Sequence, residues 1–144
     1  MLLGEYSVLQ GKTALVAAID KFISITLKPR SDDRIFIDST LGTLTLDRHQ
    51  ITLQAPFEFV LATLALKNPP SGCNIKIDSD LPASFGLGSS AAVTVALLIA
   101  LNRWLEKLLT KSKLWQEALQ VIHQVQKKGL ALIVQPVFSG ANCF

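Results

Sequence analysis

The residues best suited to chemistry lie in one stretch, Pro82-Ala83-Ser84-Phe85-Gly86-Leu87-Gly88-Ser89-Ser90-Ala91-Ala92. Gly86 and Gly88 let the backbone adopt conformations closed to other residues and approach a ligand closely. Ser89 and Ser90 follow where a long apolar segment begins, and either can cap a helix running from about Ala91 to Leu109. The free N–H groups at such a helix start, with the positive end of the helix dipole, attract anions. A serine hydroxyl there also reaches a metal ion riding on a phosphate. The stretch reads as a phosphate-binding loop, and the plainer alternative is a glycine turn capping an ordinary helix. It has neither the lysine of a P-loop nor the glycine spacing of the dinucleotide fingerprint.

Other polar residues carry weaker signals. Glu5, in Leu2-Leu3-Gly4-Glu5-Tyr6-Ser7-Val8-Leu9-Gln10-Gly11, reads by itself as a turn or edge-strand carboxylate. His123 lies beside core positions of a helix and reads as a satisfied structural histidine. Lys107, Lys111 and Lys113 read as a solvated helix end, where cations are favoured. Trp104 and Trp115 read as core or interface residues. Cys73 and Cys143 have neither metal-site spacing nor a disulfide framework, which points to a reducing, cytoplasmic setting.

These residues need a frame to hold them. At 144 residues and 49% apolar content the chain has material for one small domain with a real core, and 17% charge is too little for disorder. A net charge of +3 does not argue for nucleic acid. The mean hydropathy of +0.38 invites a membrane reading. The longest uncharged apolar run, Ala91 to Leu101, is short of the ~20 residues a spanning helix needs. Up to about Asp80 the texture is mostly β. Strands are expected at Phe22–Leu27, Arg34–Asp38, Thr43–Leu46 and Cys73–Asp78, with a helix at Phe57–Lys67 stopped by Asn68-Pro69-Pro70. After Pro82 the texture is helical. The first helix is apolar nearly all round, which predicts burial, and a second follows a break at Thr110–Lys113 with Leu114, Ala118, Val121, Ile122 and Val125 on one face. Strands followed by helices predict an α+β fold.

Two segments, standing in the family's order along the chain, resemble the GHMP kinases, the family of galacto-, homoserine, mevalonate and phosphomevalonate kinases. Pro82 and Gly86 to Ala92 are similar to the family's ATP loop, and Leu2 to Gly11 to its N-terminal substrate motif, with Tyr6 where many members have histidine. The resemblance covers Met1 to about Gln126 and implies the α+β fold of the GHMP kinase N-terminal domain over residues 1–128. It implies transfer of the γ-phosphoryl of ATP, with Mg²⁺, to a small acceptor, with mevalonate or phosphomevalonate ranked first and a sugar or homoserine second. On this resemblance Pro82, Gly86, Leu87, Gly88, Ser89, Ser90 and Ala91 would hold ATP. Ser90 would face the metal, and Glu5 and Tyr6 would shape the acceptor pocket. Glu117 would be a further Mg²⁺ ligand, unless it is a solvated helix-face carboxylate.

The sequence departs from the family pattern at both ends. Members carry a Pro-Gly-Lys-type segment before Leu-Leu-Gly-Glu, and an Asp in a glycine-serine setting after the second helix. Here no Asp or Glu follows Glu117, and Ser139-Gly140-Ala141-Asn142 offers an amide in the Asp position. No catalytic residue is assigned, and the expectation is a fragment with little turnover that tends to self-associate through exposed sheet edge and apolar surface. A nucleotide-binding or interaction module without catalysis is the third reading. Residues 129–144 are expected to be an apolar tail read out of frame after Lys127-Lys128. Genomic sequencing across the codons for Gln124 to Phe144 checks this. A glycine-serine segment with an acidic residue in an alternative frame is expected, and its absence from both alternative frames would end the idea.

Overall fold

A computed structural model of the protein describes residues 11–13, 15, 17, 20–80 and 88–126. Seven elements follow one another: β1 (Ile23–Pro29), β2 (Arg34–Ser39), β3 (Gly42–Asp47), α1 (Glu58–Lys67), β4 (Cys73–Ser79), α2 (Ser89–Trp104) and α3 (Lys111–Gln126). The strands form one mixed sheet in the order β1-β4-β2-β3, with β4 and β2 parallel and the other pairs antiparallel. This is the α+β architecture expected of the sequence.

Alternation along the strands creates the sheet's two faces. Leu27, Ile75, Ile37 and Leu44 stand in register across all four strands, as do Pro29, Cys73, Ile35 and Leu46. Ile35, Ile37, Cys73, Ile75 and Ile77 are buried, together with Val60, Leu61 and Leu64 of α1 and Leu97 and Leu101 of α2. A second cluster joins α2 to α3 through Ala91, Val95, Leu98, Leu114, Ala118 and Ile122. The nearly all-apolar α2 is therefore the middle element, packed on α1, α3 and β1.

Local chemistry fixes the connections. Gly72 is required by close approach. A Cβ on it would lie 2.1 Å from the carbonyl oxygen of Arg34, whose loop it meets by donating to the Asp32 carbonyl. Asn68, left-handed at φ 43°, closes α1 by donating its N–H to the Leu64 carbonyl, and Pro69 and Pro70 follow. Thr110 opens α3, its Oγ1 accepting the Lys113 N–H at 3.2 Å.

Two expectations need correction. α2 ends at Trp104, not Leu109. Lys107 donates its N–H to the Asn102 carbonyl and Glu106 takes φ 53°, so the chain turns out of the helix there. His123 is exposed and not a core histidine, because it stands one residue past the buried Val121–Ile122 edge of α3. No helix among the described residues is long and apolar enough to cross a membrane.

Three helices are tied by one ionic cluster. Lys67 Nζ donates to both Glu117 carboxylate oxygens at 3.0 and 3.2 Å and to Asn102 Oδ1 at 2.9 Å. The Lys67 and Glu117 side chains are only 7% and 14% exposed. Removing one partner of a buried pair leaves the other charge without compensation. Lys67→Ala is therefore expected to destabilise the fold by about 3 kcal/mol in denaturant unfolding. Lys67→Met with Glu117→Leu should recover most of it, and a loss near zero for the single variant would contradict the assignment.

In the β1–β2 turn, Arg30 grips Asp32 through Nε and Nη2 at 2.7 and 2.6 Å, and the Arg34 N–H adds a longer bond. The Arg30 hydrogen bonds hold the Asp32 carboxyl down from its ordinary 3.8 to about 2. Because the folded value is the lower one, the pair's contribution is complete above about pH 4 and is lost as pH falls toward 2. An NMR titration should give Asp32 a midpoint near 2, whereas a midpoint at the ordinary value would mean that the pair does not persist in solution.

Candidate functional site

The described part of the glycine-serine stretch is the start of α2. Gly88 is its N-cap and sits at φ 83°, a left-handed conformation that an L side chain rarely adopts. Ser89 and Ser90 were the expected caps, but they are the first two helical residues, and no side chain caps the helix. The first helical hydrogen bond runs from Ala92 N–H to the Gly88 carbonyl at 3.0 Å. The main-chain N–H groups of Ser89, Ser90 and Ala91 precede it in the turn where a helix leaves its donors without intrahelical acceptors. Ser89 and Ser90 are half-buried and Ala91 is buried.

This helix start opens on a cavity of about 110 Å³. Ile23, Leu41, Pro56, Phe57, Phe59, Val60, Ile77 and Val93 supply apolar walls, and Ser39, Thr40, Ser79, Ser89 and Ser90 supply hydroxyls. Among the described residues, no lining side chain carries a charge. The outer wall is the β2–β3 turn, where Ser39 Oγ accepts the Leu41 N–H at 3.1 Å and braces the turn. A preformed apolar slot beside a set of main-chain donors suits a flat, weakly polar group attached to an anionic one.

The sequence did not mark most of these walls. Leu41, Pro56, Phe57 and Val93 come from separate parts of the chain and read as turn, loop or core residues. Only the sheet order brings them together.

Of the residues singled out in the sequence, Gly88, Ser89, Ser90 and Ala91 stand together at this site. Pro82, Gly86, Leu87, Glu5 and Tyr6 lie outside the described residues, as does the segment 129–144. Glu117 is elsewhere. It is held by Lys67 beside Asn102, near the other end of α2, and the helical rise puts that end roughly 18 Å from Ser90. It cannot share an ion with Ser90 in this arrangement, and it is not a solvated face residue either. Its ion pair is the physical reason for both corrections. No group of three His, Cys, Asp or Glu side chains able to hold a metal occurs among the described residues. Cys73 is fully buried at the start of β4, and burial pushes its thiol up to about 11, which leaves it protonated and unreactive near neutral pH.

Comparison with known proteins agrees with this fold. A profile of the GHMP kinases N terminal domain matches residues 55–139, and the chain belongs to that family. Within the family, its relatives include archaeal mevalonate kinases. It is 38% identical over 141 residues to the mevalonate kinase of Archaeoglobus fulgidus, covering 96% of this chain and 46% of that enzyme. The mevalonate kinase of Methanothermobacter thermautotrophicus is 36% identical over 106 residues, 72% of this chain and 33% of the relative. A crystal structure of mevalonate kinase superposes with a TM-score of 0.83 at 28% identity, covering 95% of this chain and 48% of that one. The chain thus spans less than half the length of these relatives.

Proposed function

We propose that this chain forms the nucleotide-holding part of an ATP-dependent phosphotransferase of the mevalonate kinase type. The observation that carries the reading is the junction of the uncapped α2 start with the apolar cavity. The free N–H groups of Ser89, Ser90 and Ala91 would take phosphate oxygens, where the helix dipole favours negative charge. The adenine would occupy the slot between Leu41, Phe57 and Val93. The carboxylate of an acceptor suits those walls poorly, because burying a charge without a partner is costly. Pro82, Gly86 and Leu87 would complete the cradle, and Glu5 and Tyr6 would face the acceptor.

The residues present fit Mg²⁺ in a limited way. That ion keeps several waters, binds phosphate oxygens and needs only one or two protein oxygens, and the Ser90 hydroxyl at the cavity wall is such a group. When bound, it would neutralise charge on the transferring phosphate. The protein's own part would be positioning: the donors would hold the phosphates and the cavity would hold the base.

Mevalonate is proposed as the acceptor, on the likeness to archaeal mevalonate kinases. A phosphomevalonate kinase of Streptococcus pneumoniae shares the fold at 17% identity and a TM-score of 0.61, which does not extend to the acceptor. One sequence feature favours a second reading, nucleotide binding without transfer: Ser139-Gly140-Ala141-Asn142 offers an amide where the family resemblance places an Asp. A general base typically contributes ~10²–10⁴-fold to a rate. Incubation of purified chain with labelled ATP and mevalonate separates the two readings, since steady formation of labelled product excludes the second.

Ser90→Ala is expected to weaken ATP binding by up to about tenfold when Mg²⁺ is present, with a smaller effect when it is chelated. Glu117→Gln should lower thermal stability and leave the Mg²⁺ dependence unchanged. Titration calorimetry with and without the ion, with a thermal melt of each variant, checks both. Equal affinities for wild type and Ser90→Ala would reduce the helix start to a structural turn.

A further inference from the structure

We infer that Thr94 is a positioning residue for the phosphate-facing turn of α2, acting through the peptide that joins Ser90 to Ala91; this rests on the nucleotide reading above. Thr94 is fully buried, and its Oγ1 donates to the Ser90 carbonyl oxygen at 2.7 Å. In an α-helix that carbonyl also faces the Thr94 N–H, so the hydroxyl is a second donor on one oxygen. The same peptide unit ends in the Ala91 N–H, which precedes the first helical hydrogen bond of α2. A hydrogen bond to the carbonyl end of a peptide polarises the N–H at its other end. Thr94 thereby strengthens a donor in the first turn of α2 without touching the ligand, and its bond holds the backbone that carries Ser90, a residue of the cavity wall.

Packing alone does not call for the hydroxyl. The residues before and after it on this part of the helix, Ala91, Val95 and Leu98, belong to an apolar cluster. A valine would fill nearly the same volume. What valine lacks is the bond to Ser90. Thr63 provides an internal comparison: it too is fully buried, and its Oγ1 donates to the Phe59 carbonyl at 2.7 Å in α1, away from the Ser90–Ala91 peptide.

The test compares wild-type full chain with Thr94→Val, Thr94→Ser and Thr63→Val, by amide NMR and by calorimetric titration with Mg²⁺-ATP and with adenosine. In Thr94→Val the Ala91 amide proton should move upfield, and Thr94→Ser should restore it. Affinity for ATP should fall roughly two- to threefold in the valine variant, the weakening of one donor and not its loss. Affinity for adenosine, which has no phosphate, should not change. Thr63→Val should leave the ratio of the two affinities at the wild-type value. An unmoved Ala91 amide, an equal loss for ATP and adenosine, or no rescue by serine overturns the inference while leaving the nucleotide reading intact. Wild-type chain that binds neither ligand overturns both. Thr94→Ala gives the same comparison if the valine variant does not fold.

Discussion

A helix that is apolar on nearly every side has to be covered on nearly every side, and α2 imposes that requirement on the rest of this fold. Leu97 and Leu101 face the sheet and α1, while Ala91, Val95 and Leu98 face α3. Its polar chemistry is concentrated at its two ends. At the start, Gly88 to Ser90 leave main-chain donors at the edge of the cavity. Near the other end, Asn102 receives Lys67, which also holds Glu117. The first end has no side-chain cap. The second is satisfied internally and ties three helices together. Such a division lets the site keep unmet donors without destabilising the core, because α2 is covered along its length by other elements.

Most of the frame was legible in the sequence. The four strands, the helix at Phe57–Lys67 and the buried character of the long helix follow from period, turn residues and the Asn68-Pro69-Pro70 stop. The errors were at one helix exit and on one helix face. The exit of α2 depends on Glu106 at positive φ and on the Asn102 carbonyl accepting the Lys107 N–H, neither of which has a pattern in sequence. The exposure of His123 turns on a single position around a helix, where one residue is about 100° of rotation.

The site was legible only in part. Gly88 to Ala91 stand out because glycine and serine directly ahead of a long apolar run mark a helix start whose main-chain donors are free. The cavity's hydrophobic walls were hidden, since Phe57, Val60 and Val93 would be read as core wherever they fell. Glu117 illustrates the converse. A carboxylate on the right helix is a natural candidate for an ion, yet its neighbour across space is Lys67, 50 positions away in sequence. Only the packing of α1 against α3 tells the two fates apart.

The cavity draws its walls from β1, β2, β4, α1 and α2, from the β2–β3 turn and from the loop before α1, but from neither β3 nor α3. It is therefore a product of long-range closure, absent until distant segments of the chain have met. A molecule that occupies it adds its binding free energy to the native state alone, and the stability of this short domain becomes a function of ligand concentration. α3 shares in that gain only through α2 and α1.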